Sequence, residues 1–175
     1  FNDADIVEVK PTRNQRRVIG WLGTLARMNN ELSVAPARAN NPAALNAALR
    51  QLERSVGHDY LVVLVSDFYG WDEDNLKIIR SISQHNDIIC SLVFDPLERN
   101  ISNASKLVVS DGKYQLEIDP THGDLGEKFE ASFASTVARV QGELRRHDIP
   151  VLPVDTTTAV TNQLREKLGG QRILQ

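Results

Sequence analysis

The chain has 175 residues, 41% of them hydrophobic and 25% charged, and carries a formal net charge of −3. That length suits one domain with a real core, and the composition excludes a disordered or collagen-like chain. Residues 59–175 hold twelve Lys/Arg against eighteen Asp/Glu, an acidic balance that argues against a generic binder of phosphate backbones, so no nucleic-acid partner is expected.

In chain order, Asp5 to Pro11 alternates apolar and charged residues, with Ile6, Val7 and Val9 among acids and Lys10. This predicts a short edge strand. Thr12 and Gln15 have the spacing of a capping box and open a predicted helix with the apolar stripe Val18, Trp21, Leu22, Leu25 and Met28, closed by Asn29-Asn30. Arg13, Arg16 and Arg17 fall on its exposed side, and residues 31–40 read as a loop. Asn41-Pro42 is a cap and first-turn pair for a second helix that buries Leu45, Leu49 and Leu52 and stops by Gly57.

Three apolar runs then end in aspartate: Tyr60 to Asp67, Ile88 to Asp95 and Ile149 to Asp155. Continuous β-branched runs of this kind predict strands buried on both faces of a parallel sheet. Helical patterns lie between them: one starting at Asp72-Glu73-Asp74 with Leu76, Ile79 and Ile82 inward, another using Phe129, Phe133, Val137, Val140 and Leu144. Residues 106–119 read as two alternating strands about Asp111-Gly112, a hairpin signal. A last helix uses Val160, Leu164 and Leu168 and stops at Gly169-Gly170. The fold class expected is α/β and Rossmann-like, a three-layer sandwich with a mostly parallel sheet, an antiparallel edge strand and an inserted hairpin.

Open α/β sheets bind ligands at the carboxyl edge of their strands, where Asp67, Asp95 and Asp155 would gather. Ser66 and Asp67 offer oxygen ligands for a hard cation such as Mg²⁺. The same aspartate could instead accept backbone N–H bonds and order the following turn. Asp95 is followed by Pro96, which ends a strand, and Asp155-Thr156-Thr157-Thr158 also reads as a helix N-cap cluster. Phe68, Tyr69 and Trp71 fall in the turn after Asp67, either as rim aromatics for a protein partner or as packing against the sheet's helices. No H-E-x-x-H, G-x-S-x-G, G-x-x-x-x-G-K-[ST] or G-x-G-x-x-G motif occurs, so an enzyme is not expected. The alternative is a Mg²⁺-dependent phosphoryl-transfer or hydrolytic enzyme using Asp67, Asp95 and Asp155. Cys90 is the only cysteine, there is no signal-peptide pattern, and no run has the length of a membrane span. A cytoplasmic domain is expected, or the soluble part of a membrane-associated protein.

The run Leu61-Val62-Val63-Leu64-Val65-Ser66-Asp67-Phe68, the later Val93-Phe94-Asp95-Pro96-Leu97-Glu98, the hairpin and the closing helix–strand–helix together resemble a known family. It is the von Willebrand factor type A-like domain of the bacterial domain-of-unknown-function family 58, often associated with MoxR-type AAA+ ATPases. The resemblance covers essentially residues 1–175 as a single domain. It implies a non-catalytic protein–protein interaction module with a MoxR-type ATPase as partner, and a contact near Asp67, Phe68, Tyr69 and Asp95. It also implies a degenerate metal-ion-dependent adhesion site. Only Asp67, with Ser66 beside it, matches that site's ligand pattern; no Asp-x-Ser-x-Ser occurs, and Asn41-Pro42-Ala43-Ala44 stands where a threonine ligand would fall. No cofactor is therefore expected.

The resemblance further implies that the first central strand of the fold is missing ahead of Phe1. The strand at 60–67 would then have an open edge and an uncovered apolar face, which predicts association with another copy of the chain or with a partner segment.

Overall fold

The computed structural model describes residues 1–3, 5–30, 41–99, 107–110, 115–118 and 125–169. Their elements run α1 (Gln15–Asn30), α2 (Ala44–Ser55), β1 (Leu61–Ser66), α3 (Glu73–Ser83), β2 (Asp87–Phe94), α4 (Pro96–Arg99), β3 (Leu107–Ser110), β4 (Gln115–Ile118), α5 (Leu125–Arg145), β5 (Val151–Asp155) and α6 (Val160–Gly169). The chain is therefore mixed α/β, with a layout compatible with a Rossmann-like fold.

The three aspartate-terminated runs form one parallel sheet in the order β1-β2-β5. Leu61 pairs with Asp87 and Ser66 with Leu92; Cys90 pairs with Val151 and Phe94 with Asp155. Because side chains alternate across a strand, this register puts Val62, Leu64, Ile88, Cys90 and Leu92 on one face. Both crossovers step the same way across the sheet, which for right-handed connections brings α3 and α5 to that same face. The core confirms it. Leu45 and Leu49 of α2, Ile78, Ile79 and Ile82 of α3, and Val140 and Leu144 of α5 pack with Val62, Ile88, Cys90 and Leu92 in a single cluster. Each fully buried side chain of this size contributes roughly 1.5–3 kcal/mol.

The opposite face is covered unevenly. Val154 of β5 is buried, where α6 abuts the strand, and Ile89 and Val93 of β2 are half-buried. On β1, Leu61, Val63 and Val65 are 62%, 55% and 64% exposed. The expectation of burial on both faces is thus corrected for β1, and the third layer is only partial among the described residues. β1 is also an edge strand of the described sheet, as its lack of a second neighbour there predicts.

Local signals account for the helix starts, with several corrections. The expected strand at Asp5–Pro11 is not formed, so the described sheet has no antiparallel edge strand. Its residues find no ladder; instead Asp3 accepts from the Asn41 backbone N–H at 3.1 Å, and Glu8 accepts from Gln51 Nε2 at 2.9 Å. The segment therefore lies along α2. The expected Thr12–Gln15 capping box gives way to Asn14, whose Oδ1 accepts from Arg16 N at 3.0 Å and Arg17 N at 3.4 Å. Asn41 Oδ1 accepts from Ala43 N at 3.1 Å, just ahead of α2 rather than as its cap. α3 has a full capping box that the acidic run concealed. Asp72 accepts from Asn75 N at 2.8 Å, and Asn75 Oδ1 accepts from Asp72 N at 3.2 Å.

The stripe of α1 is the largest departure, since the helix buries none of its residues. Ile19, Leu22 and Leu25 are each about 60% exposed. The predicted hairpin is present as β3 paired antiparallel with β4, Leu107 opposite Ile118. Its Asp111-Gly112 turn, the loop at 31–40 and Gly170 lie outside the described residues.

Candidate functional site at the carboxyl edge

Each of the three strands ends in, or is followed directly by, an aspartate whose carboxylate accepts the backbone N–H two residues on. Asp67 Oδ1 takes Tyr69 N at 3.0 Å, Asp95 Oδ1 takes Leu97 N at 2.8 Å, and Asp155 Oδ1 takes Thr157 N at 3.0 Å. This is the Asx-turn geometry that short carboxylates favour. Asp155 gathers more, from Thr158 N at 2.7 Å and Thr157 Oγ1 at 2.8 Å. The Thr158 N–H first, and then the Thr157 hydroxyl, hold its carboxyl below the ordinary value of 3.8. Asp95 Oδ2 accepts from Thr156 Oγ1 at 3.4 Å, joining the β2 and β5 loops.

Gln163 completes that corner. Its Oε1 accepts from Asp155 N, and its Nε2 donates to Asp155 O and Thr158 O, each at 2.9 Å. Buried on a helix that is otherwise exposed apart from the half-buried Leu164, it uses its side-chain amide on backbone alone. No sequence pattern marks it, because a lone Gln on an amphipathic helix reads as surface.

The turn after β1 is built by two residues in the left-handed region. Phe68 has φ +57° and Gly70 φ +76°. A Cβ on Gly70 would stand 2.0 Å from Pro42 O, so only glycine lets the turn lie against the start of α2. For a bulky residue such as Phe68, left-handed backbone is unusual. The conformation sends its ring into the core, 1% exposed, edge-on to Trp71 at 5.6 Å between ring centroids. Trp71 is 4% exposed; its Nε1 donates to Glu143 Oε2 at 2.6 Å, and its carbonyl accepts from Arg139 Nη2 at 3.1 Å. Arg139 and Glu143, one turn apart on α5, thus pin the loop. Sequence reasoning missed both, since i,i+4 charges on a helix normally face solvent.

Of the four residues expected at a partner contact, the structure leaves Asp67 and Tyr69 accessible, with Tyr69 51% exposed. Asp95 is half-buried. Phe68 is corrected to a core residue that anchors the turn from beneath. Beside Tyr69 opens a cleft of about 500 Å³ lined by Asp67, Trp71, Phe94, Phe133, Val137 and Arg139. Phe94 and Phe133 pack at 5.5 Å between ring centroids on its wall.

The expected metal ligands are engaged in the turn. Ser66 Oγ accepts from Phe68 N at 3.0 Å and lies 3.4 Å from Asp67 Oδ1. Among the described residues no group of three His, Cys, Asp or Glu side chains comes together to hold a metal ion. The carboxyl edge brings Asp95 and Thr156 together, but it does not assemble Asp67, Asp95 and Asp155 into one ligand set. Among the described residues, no helix is long and apolar enough to cross a membrane.

No family model, no curated protein and no solved structure matches this chain.

Proposed function

We propose that this chain is a von Willebrand A-like, non-catalytic interaction module of the cytoplasm that docks another protein through its carboxyl-edge loops. The reading combines the sequence resemblance with one structural observation. The Asp67–Trp71 turn is fixed from below by Phe68, Trp71, Arg139 and Glu143, while Tyr69 stands exposed on it beside an apolar cleft. A rigid loop presenting an amphipathic aromatic next to a pocket is the arrangement that interface hot spots favour, because little side-chain or backbone freedom is lost on binding. One oxygen of each strand-end aspartate, Oδ1, accepts a backbone N–H and orders the turn that follows, which fixes the loops for binding.

A MoxR-type AAA+ ATPase is the proposed partner, on the resemblance alone. The test is binding of such an ATPase to immobilised chain, with Tyr69→Ala as the variant. Binding weakened at least ~10-fold by Tyr69→Ala, with unchanged thermal stability, supports the loop as the contact. Equal binding by the variant removes the loop from the interface, and no binding by either removes the partner.

A further inference from the structure

α1 is a basic amphipathic helix whose apolar side lies open. None of its 16 residues is buried, and only Trp21, Thr24 and Met28 are half-buried. At about 3.6 residues per turn, Leu25, Val18, Leu22, Ala26 and Ile19 fall on one arc centred on Leu22, roughly a third of the circumference wide. All five are exposed.

The other side is polar. Arg16, Gly20, Gly23 and Arg27 run along it at spacings of four, three and four residues, and Arg17 lies on its other flank. A Cβ on Gly20 or Gly23 would meet nothing within 4 Å, so the polar side is open at both glycines. Charge is segregated here. Residues 10–30 hold five Lys/Arg and no acid, although the chain as a whole is net −3.

Neither a second α1 nor a nucleic acid satisfies both sides of this helix. Pairing two copies of α1 through their apolar arcs sets two groups of five cations close together with no acid between them, and like charges repel. A nucleic acid pairs the cations but leaves Val18, Ile19, Leu22 and Leu25 in water. A bilayer with anionic headgroups meets both at once. The arc enters the boundary between headgroups and acyl chains, and the arginines reach the headgroups from the flanks on their long stems.

We propose that α1 is an interfacial membrane anchor, which lays this chain reversibly on a bilayer surface containing anionic lipid. The helix, ~24 Å long, lies along the surface and does not cross it. The anchor goes beyond the carboxyl-edge reading and does not depend on it, since Tyr69 and the cleft take no part.

The test is co-sedimentation of the full chain with vesicles of phosphatidylglycerol and phosphatidylcholine, against vesicles of phosphatidylcholine alone. Partition onto the anionic vesicles should be at least ~10-fold stronger. Leu22→Asp puts a charge at the centre of the arc and should weaken it at least ~10-fold. Arg13→Gln/Arg16→Gln should do the same, since each cation near an anionic surface contributes roughly fivefold. All three positions are exposed, so these variants keep the fold, which circular dichroism verifies. Binding to neither vesicle overturns the anchor, and so does binding that ignores the charge of the lipid. Anionic binding unchanged in Leu22→Asp overturns it too, because charge alone then accounts for it. Two further results, each without vesicle binding, overturn it in favour of another occupant: retention by duplex DNA, or a dimer in light scattering that Leu22→Asp disperses.

Discussion

Trp71 Nε1 and Glu143 Oε2 lie 2.6 Å apart although 72 residues of chain separate them. This bond ties the turn after β1 to the last turn of α5, and the neighbouring Arg139–Trp71 carbonyl bond repeats the tie. The loop carrying Tyr69 is therefore held by the helix that leads into β5, and its position reports on the packing of α5.

Replacing Trp71 by Phe keeps most of the apolar ring and deletes the donor, leaving the half-buried Glu143 without it. A hydrogen bond to a charged group contributes about 1.5–3 kcal/mol, so Trp71→Phe should lower stability by about that much. Chemical denaturation measures it. Glu143→Gln, which keeps an acceptor, should cost less.

Gly70→Ala meets both a left-handed φ and the Pro42 carbonyl. The strain of such a backbone for a residue with a Cβ is about 1–3 kcal/mol before the clash is counted. A loss of at least about 2 kcal/mol in urea unfolding is expected, and an unchanged midpoint would mean that the turn does not rest on the start of α2.

Phe68→Ala and Tyr69→Ala should separate cleanly. The first empties a fully buried ring site and should cost about 3–5 kcal/mol. The second alters an exposed side chain and should change stability by no more than about 0.5 kcal/mol. Comparable losses in thermal unfolding would contradict the inward turn of Phe68.

Asp155 sets an acid limit. Its folded-state pKa is depressed, so its stabilising contribution is complete above the unfolded value, about 3.9, and is lost as pH falls through the folded value. Asp155→Asn should therefore be less stable than the parent near neutrality, and the gap should close as pH drops below about 4. A gap independent of pH would show that the Thr157 and Thr158 donors do not depend on the charge.

Millimolar Mg²⁺ should move the melting temperature of the chain, and of Asp67→Ala, by less than about 1 °C. An ion at about 100 times its dissociation constant would add about 2.7 kcal/mol, several degrees for a domain of this size. A shift present in the parent and absent in the variant would restore Ser66 and Asp67 as ligands.

Much of this was legible in the sequence because it rests on periodicity. The three runs ending at Asp67, Asp95 and Asp155 are strands of one parallel sheet, and Leu45, Leu49, Ile79, Ile82, Val140 and Leu144 are core. What escaped depends on a single dihedral or a distant partner. The inward turn of Phe68 follows from φ +57°, which no pattern of residues announces. Arg139 and Glu143 resemble solvated helix charges until Trp71 is placed beside them. The outer face of β1 could not be read because its residues are as apolar as the inner ones; periodicity shows that Val63 is hydrophobic, not that something covers it.

Gln163 has a consequence for how the molecule opens. α6 buries that one residue, whose side-chain amide makes two bonds to Asp155 of β5 and one to Thr158 in the loop after it. Segments with so little apolar contact open at free energies far below the global value. Backbone amides of residues 160–169 should therefore exchange with solvent deuterium together and long before those of Ile88 to Leu92, and the carboxyl-terminal helix should come away as a unit while the β1-β2 ladder stays closed.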